Sequence, residues 1–398
     1  MRLALVTQGY LEPGGGVTTI VNWLVEGLRN RGHSVDVHVM SRSRLDPSSR
    51  RLLAPTTWRR RTLETPVSVS PRISRWGTNL AELEPMRYMP RRELTAVLND
   101  YDAVQLVCGT PALGYAVKNV SAPIVMQAAT RARWERSLSP GTGRASEVLR
   151  RLNTAAVSAL EDRAVSAASI VLVENSVMRD YVHSCGQRHV IVAMPGVDTD
   201  RFQPDVRGWQ ASGPIISVCR LGDPRKGMSR ILRAYARLTS MMDQVPELLL
   251  VGRGALTSVE NELVHTLAID SRVRVYKDMP AAELPEALRK SSAFIQGSYE
   301  EGLGLSVMEA MASGVPTVST ESAGSAQLLA GTDAGVLVPQ GDEEEVAIGL
   351  ADGLFSVLTT SGAEMAAAAR REALTRFASG VALDVFEGAL RDAAGATN

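Results

Sequence analysis

The chain has 398 residues, a length that indicates two or three domains, each with enough apolar residues for a core. Lys and Arg together number 43 and so do Asp and Glu, so net charge does not favour nucleic acid or lipid as a partner of the whole chain. The three cysteines form no CxxC pair, which argues against a disulfide framework or a zinc site and favours a cytoplasmic protein. The short start MRLAL and the lack of a long apolar segment behind it predict neither a signal peptide nor a membrane span.

The first half of the chain alternates strand and helix patterns. MRLALVTQGY predicts a buried strand, GGG a turn, VTTIVNWLVEGLRNRG an amphipathic helix and HSVDVHVM a second strand. This βαβ unit implies a parallel sheet. Further strands are predicted at YDAVQLV, APIVMQA and ASIVLVEN.

An arginine-rich segment interrupts this first half at residues 41–64. It contains Trp58 and seven arginines: Arg42, Arg44, Arg50, Arg51, Arg59, Arg60 and Arg61. One interpretation is a solvated loop; the other is a docking surface for an anionic acceptor or a lipid headgroup, and thus a peripheral membrane contact through 42–61.

A second α/β half follows a Pro- and Gly-rich linker, VAMPGVDTDRFQPDVRGWQASGP. Strands are predicted at PIISVCRL, PELLLVGRG, RVRVYKDM, SAFIQGS, GVPTVST and GVLVPQG. We therefore predict two Rossmann-like domains, 1–200 for the acceptor and 201–372 for the donor, facing across a cleft. Ligands of such sheets bind at the carboxyl ends of the strands. The last segment, 373–398, is predicted to be helical and to pack back on the first domain.

Two carboxylates stand in the stretch EEGLGLSVMEAMASG. LSVMEAMASG predicts a helix that ends at Gly314, so Glu301 precedes its first turn and Glu309 lies about two turns further on, in an apolar run. A partly buried carboxylate needs a hydrogen-bond donor, and the vicinal diol of a ribose supplies two. On spacing alone, pairing of Glu309 with an arginine and exposure of Glu301 explain the pattern equally well.

This stretch resembles the E-x7-E signature of retaining nucleotide-sugar glycosyltransferases of family four, which have the GT-B fold. The resemblance continues in GGGVTTIVNWLVEGLRNRGHSVDV, PGVDTDRFQP, SVCRLGDPRKG, LLLVGRG and GVLVPQGD, in that order, and so covers nearly the whole chain. It implies an enzyme that moves a sugar from a nucleotide diphosphate to an acceptor hydroxyl without a metal ion or other cofactor.

The resemblance also implies roles for individual residues. Glu309 would hold the ribose, and Glu301 the donor sugar together with the backbone of Leu303, Gly304 and Leu305. Arg220 and Lys226 would bind the diphosphate, and Gly15 and Gly16 would let the first domain's helix approach it. The base would lie near Gly252, Arg253 and a turn at Val275 to Lys277.

One departure concerns the strand PIVMQAAT. The family usually ends it with a histidine near the donor sugar, where this chain has Ala129 followed by Thr130. Gln127, Thr130 or Arg131 replaces that contact, the donor lacks the usual hydroxyl pattern, or the activity is lost.

The alternatives are a nucleotide-sugar epimerase of the same fold and a non-catalytic sugar-nucleotide-binding protein. The DTD sequence at Asp198 lies in the linker, so no metal site is expected there. Small natural products, sugars and lipid-linked molecules all remain open as acceptors.

Overall fold

The structure is a computed structural model that describes residues 1–10, 15–41, 49–59, 72–137 and 144–395. It divides into two units, unit 1 with Met1–Gly196 and Ala382–Asn398, and unit 2 with Val197–Val381. The sequence predicted a domain boundary between residues 200 and 201, and the structure divides between Gly196 and Val197. Residues 373–381 of the predicted C-terminal segment lie in unit 2, and the residues from Ala382 onward in unit 1.

Unit 1 is built on a parallel sheet with seven strands in its described part, ordered β3-β2-β1-β4-β5-β6-β7. The strands are β1 Arg2–Gln8, β2 Ser34–Met40, β3 Ile73–Trp76, β4 Ala103–Cys108, β5 Ile124–Ala128, β6 Ile170–Val173 and β7 Val190–Val192. The α-helices of this half are α1 Gly16–Asn30, α2 Arg92–Leu98, α3 Ala132–Ser137, α4 Arg144–Ala167 and α5 Ser176–Ser184. Short 3₁₀ turns occupy Pro55–Thr57, Glu84–Tyr88 and Pro111–Val117. Of these strands, β3 and β7 were not predicted from the sequence.

Unit 2 repeats the arrangement with six strands in parallel, ordered β10-β9-β8-β11-β12-β13. They are β8 Ile215–Val218, β9 Leu248–Gly252, β10 Val273–Lys277, β11 Ala293–Gln296, β12 Thr317–Thr320 and β13 Gly335–Val338. The helices are α6 Met228–Met241, α7 Ser258–Thr266, α8 Leu284–Arg289, α9 Leu305–Ala312, α10 Ala323–Leu329, α11 Glu343–Ser356 and α12 Gly362–Glu372, followed by α13 Ser379–Gly395. The predicted class, two Rossmann-like α/β domains with parallel sheets, is confirmed.

Helix α9 begins and ends for reasons visible in the sequence. Gly304 adopts φ 92° at its N-terminus and Gly314 adopts φ 67° just past its end, both in the left-handed region that favours glycine. Arg370 of α12 then donates to the carbonyl of Ala312 at 2.6 Å, so a cation completes the helix C-terminus. The predicted stop at Gly314 is confirmed.

The helical run Glu343–Phe377 joins α11 and α12 through π-helical turns at Val357–Ser361 and Ala373–Phe377. By length and composition alone it could cross a membrane, and half of its most apolar window is buried inside the structure. Core helices of soluble proteins pass the same test. In unit 2 this run packs Leu350, Leu354 and Val357 into the core beside α6.

Candidate functional site

The carboxyl ends of β8 to β11 gather most of the predicted donor-site residues of unit 2. Arg220 and Lys226 follow β8, Gly252 ends β9, and Glu301 follows β11. Backbone bonds tie these ends together, since the Leu221 amide donates to the Arg253 carbonyl at 2.8 Å. Parallel strands place their ligand sites at this edge.

Lys226 and Glu301 form the closest charged pair at this edge. Lys226 Nζ lies 2.5 Å from Glu301 Oε2, and about a fifth of each side chain is exposed. Burial alone would lower the pKa of the Lys226 amine, but the Glu301 carboxylate outweighs it and raises that pKa above its ordinary value. The amine is therefore a fixed positive charge at neutral pH.

The loops that carry Lys226 and Glu301 are in close backbone contact. Gly227 has φ 58°, and a Cβ there would lie 2.1 Å from the Gly297 carbonyl oxygen. The Tyr299 amide donates to the Arg225 carbonyl at 2.9 Å. Only glycine at both contact points allows the two backbones to approach so closely.

Arg230 of α6 packs against Tyr299, in the loop that leads to Glu301. It is buried, its guanidinium lies 3.6 Å from the centre of the Tyr299 ring, and its Nε donates to Glu343 at 3.2 Å. A further bond runs from its Nη1 to Gln340 at 2.8 Å. Sequence reasoning missed Arg230 because its partners lie 69 to 113 positions away in the sequence and no local pattern marks them.

Gln296, at the end of β11, contacts the Glu301 carboxylate from the core side. Its Nε2 lies 3.5 Å from Glu301 Oε2, while its Oε1 accepts from Ser319 at 3.1 Å and Ser325 at 2.9 Å. This buried network fixes one rotamer of Gln296 and so helps to orient Glu301. It was also absent from the sequence-based site.

The backbone before α9 contains the three residues predicted to contact the donor sugar. Leu303 is buried, a Cβ at Gly304 would lie 3.6 Å from Glu301 Cγ, and Leu305 is the first residue of the helix. Gly324 makes this possible, because a Cβ there would lie 2.5 Å from the Leu303 backbone. The free amides of a helix N-terminus attract anionic or hydroxyl oxygens.

Glu309 is partly buried in α9 and makes no side-chain hydrogen bond or ion pair within the described ranges. Burial raises the pKa of its carboxyl to about 7, against an opposing effect of the Arg201 charge. The suggested arginine partner is therefore only an electrostatic neighbour. The carboxylate is left able to accept hydrogen bonds from a ligand.

Arg220 is the more exposed cation at this edge. Its side chain is 60% exposed and its nearest carboxylate is Asp223, at 3.8 Å. The pKa of Asp223 is lowered, because Arg225 outweighs the effect of burial. Arg220 thus borders the edge that Lys226 occupies, with its charge open to solvent.

The turn that the sequence predicted at Val275 is a strand in the structure. The sequence-based interpretation put a turn at Val275 to Lys277, but these residues form the second half of strand β10. The turn begins at Asp278, which has φ 54° and whose amide donates to the Gly252 carbonyl at 2.9 Å. Val275 is exposed on this edge strand, and its register partner is Leu250.

Gly15, Gly16 and Thr130 belong to unit 1. Gly15 precedes α1 in an extended conformation, and Gly16 is the first residue of that helix. Thr130 follows β5 and is buried, with its amide bonded to the Gly109 carbonyl at 3.0 Å. All three lie at the carboxyl edge of the unit 1 sheet.

Two of the three candidates for replacing the family histidine near Ala129 are engaged elsewhere. Gln127 is buried and donates to Glu174 at 2.9 Å. Arg131 stacks 3.7 Å from the centre of the Tyr181 ring and bonds Asp162 at 3.0 Å. Thr130, the third candidate, is buried and also takes part in interactions with its surroundings.

A separate open hollow of about 600 Å³ lies in unit 1, and none of the predicted donor-site residues line it. Arg131, Asp162 and Tyr181 form part of its wall and bond to one another.

In the described residues, no group of three or more His, Cys, Asp or Glu side chains could hold a metal ion.

Comparison with known proteins bears on the fold and on the enzyme class. Residues 202–368 match the family described as "Glycosyl transferases group 1". The chain is 28% identical to the MMP alpha-(1->4)-mannosyltransferase of Mycolicibacterium hassiacum, over 81% of each chain. It is 25% identical to the phosphatidyl-myo-inositol mannosyltransferase of Mycobacterium tuberculosis, over 90% of this chain and 88% of that one.

The fold also matches a solved structure. The Anabaena protein HepE, in complex with UDP and glucose, superposes with a TM-score of 0.69 at 17% identity, over 98% of this chain and 100% of that one. The predicted GT-B fold class is confirmed, as is the predicted enzyme class, a hexosyltransferase-type glycosyltransferase.

Proposed function

We propose that the chain is a retaining glycosyltransferase that moves a sugar from a nucleotide diphosphate sugar to an acceptor hydroxyl without a metal ion. The observation that carries the proposal is the Lys226–Glu301 pair at the carboxyl edge of the unit 2 sheet, beside the N-terminus of α9. Cation, carboxylate and helix amides together suit a ligand that has both phosphate and hydroxyl groups.

Lys226 would stabilise the leaving group. When the bond between the sugar C1 and the phosphate oxygen breaks, negative charge develops on the diphosphate. A charged amine already fixed by its neighbours stabilises that charge without reorganising. Arg220, with its exposed guanidinium, would bind the same diphosphate through a bidentate contact.

Glu301 would accept a hydrogen bond from a donor-sugar hydroxyl, together with the backbone at Leu303 to Leu305. Lys226 holds its Oε2, which leaves Oε1 for the sugar. Glu309 would accept bonds from the ribose diol, in agreement with its lack of a side-chain partner in the described ranges. The base would lie near Gly252, Arg253 and Val275 at the ends of β9 and β10.

Retention would follow from attack on the face that the diphosphate leaves. The acceptor oxygen bonds to C1 as the C1–O bond to phosphate breaks, and a phosphate oxygen takes the acceptor proton. We assign Glu301 to hydrogen bonding with the donor sugar and not to double displacement, because Lys226 Nζ already holds its Oε2 at 2.5 Å.

The donor and acceptor classes are proposed from the relatives. Two of them are named mannosyltransferases, and one name specifies phosphatidyl-myo-inositol. A hexosyl donor and an acceptor with a hydroxylated head are therefore the first to test. We place the reaction in the cytoplasm on the basis of the free cysteines.

A thermal-shift panel of UDP-, GDP-, ADP- and dTDP-sugars tests donor binding, since a ligand stabilises the state that it binds. We expect one nucleotide class to raise the midpoint of unit 2 and Lys226→Met to abolish that shift. Lys290→Met is the matched control, because Lys290 is an exposed lysine paired with Glu286 at 2.6 Å. No shift with any donor, or an equal shift in Lys226→Met, would contradict the proposal.

A further inference from the structure

Three segments of unit 1 expose large apolar side chains. The first, residues 49–59, exposes Trp58 and Leu53, the latter 79% accessible. The second contains the exposed Leu83, and the third, the start of α4, exposes Leu152, 64% accessible. Protein surfaces rarely expose several large apolar residues side by side unless they bind something. The full set is Leu52, Leu53, Trp58, Leu83, Val148, Leu149 and Leu152.

The first two segments are joined by direct bonds. Arg51 Nε lies 3.1 Å from Glu82 Oε1, and the Leu52 amide donates to Glu82 Oε2 at 2.8 Å. The Ala81 amide also donates to the Arg50 carbonyl at 3.0 Å. Leu83 therefore lies next to the segment that presents Leu52.

The third segment joins the same surface through Arg136. Its guanidinium pairs with Glu84, the residue after Leu83. Arg150 of α4 donates to the Arg136 carbonyl at 2.6 Å. The seven apolar residues and the arginines among them (Arg51, Arg59, Arg136, Arg150 and Arg151) thus form one region, the basic–apolar surface.

In two ion pairs of this surface the arginine is clearly more exposed than its carboxylate partner. Arg151 is 78% exposed while its partner Glu147 is 25% exposed. Glu82 is likewise less exposed than its partner Arg51. In these two pairs the guanidinium group is the more exposed partner, and Arg59 is exposed as well, so the surface presents positive charge although the whole chain is neutral.

The position of the surface follows from topology. The 49–59 segment follows β2, the turn Glu84–Tyr88 follows β3, and α3 with the start of α4 follows β5. Carboxyl ends of parallel strands share one edge, so all three segments border the edge where Gly15 and Gly16 lie. An acceptor presented at this surface would reach that edge.

We propose that the basic–apolar surface docks on an anionic lipid bilayer. Leucine and tryptophan side chains insert at the boundary between headgroups and acyl chains, and arginines pair with anionic headgroups. A second copy of the chain fits less well, because a two-fold interface would bring the exposed arginines of both copies together. The inference does not depend on the proposed function, since the donor residues Lys226 and Glu301 lie in unit 2.

Flotation of the full chain with vesicles tests the proposal. We expect binding to phosphatidylcholine vesicles that contain phosphatidylglycerol, little binding to phosphatidylcholine alone, and loss of binding at high salt. Leu53→Ser combined with Leu149→Ser should weaken partitioning about tenfold or more, because each removes an inserting side chain. Arg59→Glu combined with Arg151→Glu should weaken it by a similar factor, since each reverses a charge.

Matched controls come from unit 2. Val206→Ser removes a fully exposed apolar side chain, and Arg237→Glu reverses an exposed charge, so neither should change partitioning. Circular dichroism and the thermal shift with donor should be the same in all variants, which separates this test from donor binding. Equal binding to neutral vesicles, unchanged partitioning in both surface variants, or a dimer that the leucine variant dissolves without any vesicle binding would overturn the proposal.

Discussion

At the scale of single residues, Lys226 is the charge on which the proposed chemistry depends. Lys226→Met should lower kcat/KM by roughly 10²- to 10³-fold, because one preorganised charge at a reacting centre contributes about that much. Steady-state kinetics with the donor identified by thermal shift would measure the loss. Lys290→Met should retain the wild-type value, and an equally active Lys226→Met would remove the amine from the mechanism.

Glu309 should make nucleotide binding depend on pH. Its carboxyl has a pKa raised to about 7, so the ionised form that accepts two ribose hydroxyls becomes scarce in mild acid. Affinity for the free nucleoside diphosphate should fall about tenfold between pH 8 and pH 6. Isothermal titration calorimetry would show the dependence, and Glu309→Gln should flatten it.

The same carboxyl affects folding with a defined sign. Because its folded pKa lies above the unfolded value of 4.5, its contribution to stability is fully present below pH 4.5 and is lost as pH rises through 7. Glu309→Gln should therefore stabilise unit 2 above pH 7 and change little below pH 4.5. A variant less stable than wild type at pH 8 would indicate that the carboxylate has a partner.

At the scale of elements, Gly324 at the N-terminal turn of α10 sets the shape of the loop before α9. Gly324→Ala should lower the free energy of unfolding of unit 2 by about 1–3 kcal/mol, because the added Cβ meets the Leu303 backbone and neither can yield easily. Urea unfolding measures this, and the KM for the donor should rise as the loop moves.

Gly388→Ala is the matched control for that substitution. Gly388 lies within α13, where a Cβ would meet no atom within 4 Å, so alanine should be neutral or stabilising by about 0.5–1 kcal/mol. If both alanine variants changed the free energy of unfolding by the same amount, close packing of Leu303 on Gly324 would not explain why residue 324 is a glycine.

The strands show which parts of the fold can be predicted from sequence patterns. The βαβ alternation predicted most strands of both sheets, because buried parallel strands are continuous apolar runs flanked by turn residues. Strand β7 was missed because Val190–Val192 is only three residues long, and β3 because ISRW follows an arginine-rich segment without a clear period. Arg42, Arg44, Arg60 and Arg61 of that segment lie outside the described residues.

Residues of the candidate site could be predicted where they lie close together in the sequence. Glu301 and the α9 N-terminus were found from one short stretch. Lys226 came from a resemblance, and its bond to Glu301 spans 75 positions, a separation that no periodicity reveals. Arg230 and Gly324 act through distant backbone and side-chain contacts, so only a three-dimensional structure identifies them.

At the scale of the whole molecule, the C-terminal residues complete unit 1. Glu387 of α13 accepts from Arg31 at 2.6 Å and lies 3.0 Å from His33, and Phe386 packs edge-on against Trp23 with ring centres 5.2 Å apart. The Arg31 guanidinium, with Arg391 and His33, lowers the pKa of Glu387 to about 2. Helix α13 therefore packs into unit 1 through Phe386 and Glu387.

Glu387→Gln should destabilise unit 1 by about 1–3 kcal/mol, because it removes the buried carboxylate that Arg31 and Arg391 share. The wild-type contribution is present above pH 4.5 and is lost as pH falls toward 2, so the variant should differ less from wild type in acid. Denaturant unfolding with two transitions, one per unit, would report it. Asp384→Asn, at an exposed partner of Arg31, should cost much less.

The most direct test of the whole account is the anomeric configuration of the product, read by proton NMR during turnover of the donor that unit 2 binds. We predict nucleoside diphosphate release that depends on Lys226, with the transferred sugar keeping the configuration it had in the donor. An inverted product, an isomerised donor without transfer, or release that persists unchanged in Lys226→Met would contradict it.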